Sequence, residues 1–252
     1  MKIVKAAICQ ILCLDSDRWG NFIRIENAIR EAKCAGANIA CLPETALLGW
    51  VNPDAHKRAF PIPGEDSDRL SKLAKDYDLH LCIGLVEKKG RRLYDSAVLI
   101  DNKGNILLKH RKINLLTELM NPPYTPGENI DVVDTEFGKI GLLICADTHD
   151  SKILKRMAAL KPDVLLIPYG YAAAEDEWPG HGKELEKVVT NTAQKTGAFV
   201  IGTNLVGEIT HGPWKDRIYG GQSLAADRTG RIVSVVKDRD RDINIININI
   251  DQ

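Results

Sequence analysis

The chain has 252 residues and carries 34 lysine and arginine side chains against 34 aspartate and glutamate, a formal net charge of zero with histidine neutral. That balance argues against a nucleic-acid or anionic-membrane partner, since both reward a basic surplus. At 44% hydrophobic and 27% charged residues the composition is globular, which excludes disorder and fibres, and the length is ample for one substantial core in a single domain over 1–252.

The opening MKIVKAAICQILCLD is apolar only briefly and lacks a small-residue cleavage pattern, and no run approaches the roughly 18 apolar residues of a spanning helix. The expectation is a soluble, cytoplasmic protein with no membrane partner. Residues 2–11 read as a buried strand. Phe22, Ile25, Ile29 and Ala32 recur at the three-and-four spacing of an amphipathic helix running from Trp19 to Ala35, which Gly36 ends. Asn38 to Leu42 is a short strand stopped by Pro43, Asp66 to Asp78 a second helix, and 80–86 a strand. Turns at 88–92 and 101–105 make 80–112 an antiparallel meander, while three prolines and a glycine make 117–129 a loop. The second half restates the first: strand 138–147, helix 151–160, strand 163–170 and helix 184–197, then strands at 198–204, 219–227, 231–238 and 243–250. Apolar strands interleaved with helices in two similar halves predict an α/β fold of two packed, mixed sheets with helices outside. The six cysteines are dispersed without a CxxC pair and the six histidines are dispersed too, so neither a disulfide framework nor a zinc site is expected.

Three reactive residues stand where a strand stops, the place where α/β folds open a ligand crevice. Glu44 follows the strand in LPET, Lys112 closes the meander in KHRKINL, and Cys145 ends GKIGLLIC just before a helix. Singly, each has an ordinary reading: a solvated or capping carboxylate, a wet basic run, a buried thiol. Together they divide a hydrolytic task. A cysteine nucleophile needs a base, and a carboxylate in an apolar pocket can have its pKa raised enough to serve. The oxyanion then needs positive charge and an N–H donor, which Lys112 and the backbone of Ala146 can supply.

LPETALLGW (42–50), HRKINL (110–115) and GLLICAD (141–147), in this order, resemble the nitrilase superfamily of carbon–nitrogen hydrolases, and the similarity extends through AAICQ, YTPGEN, GTNLVG and YGGQSLAADRTGRI over essentially the whole chain. The resemblance implies a four-layer α-β-β-α sandwich with Glu44 as general base, Lys112 as stabilising cation and Cys145 as nucleophile. It also implies a supporting glutamate between the lysine and the cysteine, for which Glu118 is the better match and Glu128 the other candidate. It requires no metal or organic cofactor, and it leads to the expectation of a homodimer or larger homo-oligomer. The sequence departs from the family just after the nucleophile, where Ala146 replaces the usual aromatic residue and no arginine follows Asp147; residues there help to select the substrate.

The expected reaction is hydrolysis of a small amide or N-carbamoyl compound through a cysteine thioester. Alternatives are a nitrilase, a Cys–His hydrolase of papain type, and a non-catalytic scaffold on the same fold. Trp50, Tyr124, His149 and Tyr169 are the candidates for a substrate pocket, with Tyr171 and Trp178 also near the motifs. Asp147, Asp150 and Glu175 to Glu177 are carboxylates that would favour a cationic or polar amide if they faced it. His110 is expected to shape the Lys112 loop, and Gly221–Gln222–Ser223 to form a tight turn or strand contact.

Overall fold

The computed structural model describes residues 2–250. Two six-stranded mixed sheets are packed face to face with helices on the outside, as the sequence predicts. From edge to edge the first sheet runs Asp242–Ile250, Lys2–Gln10, Ile39–Cys41, His80–Lys89, Arg92–Ile100, Ile106–Arg111. The second runs Ile232–Val235, Leu224–Ala226, Phe199–Asn204, Val164–Tyr169, Gly138–Leu142, Val132–Thr135. Each has three parallel strands at its centre and antiparallel strands outside them. A small third sheet joins Val206–Glu208, Ile218–Gly220 and Ala172–Ala173.

The layers follow from strand alternation. In Lys2–Gln10, Val4, Ala6 and Ile8 pack toward the second sheet, while Ala7 and Cys9 pack with Phe22, Ile25 and Ile29 of helix Arg18–Cys34. Asp17 starts that helix by accepting the Gly20 N–H, and Gly36, at φ 81°, turns the chain away from it. On the opposite side, helices Ser151–Ala159 and Gly180–Thr196 bury Leu154, Met157, Leu185 and Val189 against the second sheet, whose strands are therefore apolar on both faces.

Several predicted strands are shorter than expected, among them 231–238, which is a strand only over Ile232–Val235. The run 138–147 is a strand only over Gly138–Leu142, because Cys145 to His149 wind into a 3₁₀ turn. The run 219–227 is broken by positive φ at Gly221 (66°) and Gln222 (52°), which hands the chain from the small sheet to the large one. Ser223 emerges there as the strand contact foreseen, its hydroxyl donating to Gln10 Oε1 over 2.8 Å.

Candidate active site

Glu44, Gly170 and Cys145 all follow carboxyl ends of parallel strands, so the packed sheets deliver them to one end of the sandwich. Pro43 ends the first of these strands, and its carbonyl accepts the Gly84 N–H while Ala46 N–H donates to the Gly84 carbonyl. Gly84 has to be glycine, since a Cβ there would collide with the Glu44 backbone. Thr45, at φ 45°, turns the chain sharply, and the Glu44 N–H reaches across to the Tyr169 carbonyl in the other sheet.

Lys112 arrives from the end of the meander. Its N–H donates to the Asp95 carbonyl and its own carbonyl accepts the Gly127 N–H, so both flanks of the residue are tied. The side chain is 1% exposed and its Nζ donates to Glu44 Oε1 at 2.5 Å and to Asp95 Oδ2 at 3.3 Å. Burial alone would lower the lysine pKa, but the Glu44 charge beside the ammonium outweighs it and holds the group well above its ordinary range.

Cys145 opens its 3₁₀ turn at φ 39°, an uncommon conformation for a residue with a side chain, and the turn leads into helix Ser151–Ala159. Burial, followed by the negative charge of Glu44, pushes its thiol well above the usual range; Lys112 opposes the shift only in part. The resting residue is therefore a thiol, and its reactivity depends on a base rather than on a helix terminus.

Asp147 holds this turn to the Lys112 loop. Its Oδ1 accepts the N–H groups of Ile113 and Asn114, both at 2.9 Å, while its Oδ2 accepts from Ile144 and bonds His110 Nε2 at 2.7 Å. Asn114 returns a bond to the Ala146 carbonyl at 2.7 Å. His110 thus shapes the lysine loop as foreseen. Asp147 does not face a substrate, being fully buried with four donors around it, and Asp150 caps the following helix.

A cavity of about 380 Å³ opens over Cys145 and Ala146. Trp50 and His149 line it, joined by Tyr171, His181, Trp214 and Arg217. Tyr171 stacks on His181 with centroids 4.5 Å apart, and Trp50 meets Trp214 edge-on at 5.5 Å. Burial lowers the pKa of both His149 and His181, so the wall they form is neutral near pH 7. Of the acidic run 175–177, only Glu177 lies on the lining.

Four expectations are corrected. Tyr169 is core, fully buried with its hydroxyl donating to Thr148, because alternation turns it away from the cavity. Tyr124 is likewise buried and off the lining, and burial, followed by the Glu44 charge, pushes its phenol well above the usual range. Glu118 is exposed on the 3₁₀ turn Thr117–Leu119, and Glu128 is exposed with its backbone carbonyl taken by Arg156. The second carboxyl on Lys112 is that of Asp95. It lies in strand Arg92–Ile100, N-terminal to the lysine, which a search confined to the segment between lysine and cysteine passes over.

Among the described residues no group of histidine, cysteine and acidic side chains is arranged to hold a metal ion, and no helix is long and apolar enough to cross a membrane. A family model described as carbon-nitrogen hydrolase matches residues 5–252. The chain is 27% identical to an (R)-stereoselective amidase of Pseudomonas sp, over 99% of this chain and 86% of that protein. It is 29% identical to an omega-amidase of Mus musculus, over 74% and 70%. A bifunctional nitrilase/nitrile hydratase of Nicotiana tabacum is 27% identical over 80% of this chain, which spans 61% of that longer relative. The fold is that of an amidase from Nesterenkonia sp. AN1, with a TM-score of 0.83 at 20% identity over 97% of this chain and 90% of that one; a mutant of that amidase carries the acetamide moiety of fluoroacetamide covalently at its active site cysteine.

Proposed function

Because the chain belongs to the carbon–nitrogen hydrolase family, we propose that it cleaves the C–N bond of a small linear amide through a thioester on Cys145. Glu44 takes the Cys145 proton, and the sulfur attacks the amide carbonyl. Lys112 and the Ala146 N–H stabilise the resulting oxyanion. Collapse of the tetrahedral adduct breaks the C–N bond, and the amine leaves with the proton held by Glu44. Water, deprotonated by the same Glu44, attacks the thioester; the acid departs and the proton returns to sulfur.

The observation that carries this reading is the fully buried Glu44–Lys112 pair whose charges act on the thiol that lines the cavity. His149 lines the same cavity but is stacked parallel to Tyr171, which favours a wall over a base. The test is ammonia release from a panel of amides, N-carbamoyl compounds and nitriles, with Cys145→Ala as control. Activity on the amides that disappears in the mutant is the expected result. Turnover confined to nitriles would replace the amidase reading, and an active Cys145→Ala protein would overturn the thioester.

The same reading takes the protein to be one cytoplasmic catalytic domain acting as a homodimer. Six unpaired cysteines suit a reducing compartment. The edge strand Ile232–Val235 exposes Ile232, Val233 and Val235, apolar side chains that a second copy would cover. Sedimentation at micromolar concentration should give twice the chain mass, and a monomer there rejects the dimer.

A further inference from the structure

The site holds one lysine between two buried carboxyls, and that ratio has a chemical consequence. Glu44 and Asp95 are both essentially inaccessible, and both reach Lys112 Nζ with one oxygen. Their other oxygens, Glu44 Oε2 and Asp95 Oδ1, are buried without any protein donor. Both carboxyls share the single Lys112 ammonium, and one buried positive charge does not offset two buried carboxylates, so one of the pair holds a proton. The structure assigns that proton to Asp95: we propose that Asp95 is a neutral positioning residue that donates one hydrogen bond to Glu44 and accepts another from Lys112, keeping the base aligned on Cys145.

The proton belongs to Asp95 because Glu44 lies nearer the ammonium, 2.5 Å against 3.3 Å, and the nearer carboxylate gains more from remaining charged. The other groups in the field are Cys145 and Tyr124, both protonated at rest, and Lys112. Burial first, and then the Glu44 charge, push the Asp95 carboxyl well above the usual carboxylate range, in agreement with the geometry. The position is rigid: the Asp95 carbonyl takes the Lys112 N–H, and the next residue, Ser96, points to the opposite face and donates to Glu87. Asp95 thereby does from the neighbouring strand what neither Glu118 nor Glu128 is placed to do.

The proposal rests on Glu44 being the base, and its test has one arm that needs no substrate. Infrared difference spectra of wild type and Asp95→Asn at neutral pH should show the C=O stretch of a protonated carboxyl in the wild type only; its absence overturns the assignment whatever the activity. In the kinetic arm, Asp95→Asn can still donate to Glu44 and accept from Lys112. It should keep kcat/KM within about threefold, whereas Asp95→Leu should lose on the order of 100-fold in kcat with a similar urea midpoint. The acid limb of the kcat/KM profile should stay in place in Asp95→Asn. A limb displaced to lower pH would mean that a negative charge had been removed, and would overturn the neutral state. Equal losses in both variants would reduce Asp95 to packing and overturn its positioning role.

Discussion

Cys145 is a poor nucleophile at rest, and this bears on how its neighbours divide the work. With the thiol pKa raised by burial and by Glu44, alkylation by iodoacetamide should be slow near pH 7 and quicken as pH rises, since the thiolate is the reactive form. Replacing Lys112 with Met removes the one opposing positive charge and should slow labelling further; unchanged labelling would mean that the ammonium does not act on the sulfur. Glu44→Gln should lower kcat on the best amide by about 10²–10⁴-fold, the usual contribution of a general base. Combined with Lys112→Met, the loss should fall well short of the product of the single losses, because residues that act as one unit are not additive. Fully multiplicative losses would separate the two roles.

The 3₁₀ turn Cys145–His149 and the loop after Ile106–Arg111 are the elements that set this geometry, and Asp147 is their common fastening. Asp147→Ala would leave the N–H groups of Ile113, Asn114 and Ile144 without their acceptor. At about 1–3 kcal/mol for the buried Ile144 donor and less for the half-buried Ile113 and Asn114 donors, the variant should be destabilised by about 2 kcal/mol in urea unfolding, and a loss below about 1 kcal/mol would show that the loops hold without it. Gly84→Ala tests the strand behind the base. Its Cβ would drive into the Glu44 backbone, so activity should drop sharply with secondary structure intact, and wild-type turnover would mean that Glu44 has room to move. These elements also mark what was legible in advance. LPET, HRKINL and GLLICAD are each continuous, and a reactive side chain just past an apolar run identifies itself. Asp95 sits inside LYDSAVLI, where a polar residue reads as the solvent face of an alternating strand; yet the strand is buried on both faces from Leu93 to Ile100. His181, Trp214 and Arg217 reach the cavity from segments remote in sequence, and only the folded sheets bring them there. Tyr169 is illegible for the opposite reason, since closeness to a motif says nothing about which face of the strand a side chain takes.

Across the whole molecule, the two sheets repeat one arrangement and use it unequally. Glu44 follows the middle strand of the first parallel trio, and Gly170 follows the middle strand of the second. One half supplies the carboxylate; the other supplies the space it occupies, for a Cβ on Gly170 would stand 3.0 Å from Glu44 Oε2. The halves are also stitched at their margin, where Asp242–Ile250 pairs antiparallel with Lys2–Gln10 along its full length. Deleting Asp242–Ile250 should uncover that edge and send the protein into the insoluble fraction; a soluble, active truncation would make the strand dispensable. The same pairing imposes a schedule on biosynthesis. Strand Lys2–Gln10 waits for a partner made about 240 residues later, an interval of roughly 12–48 s at about 5–20 residues per second. During that time its edge is open to any extended segment nearby, so nascent chains should draw on chaperones that shield strands until Asp242–Ile250 emerges.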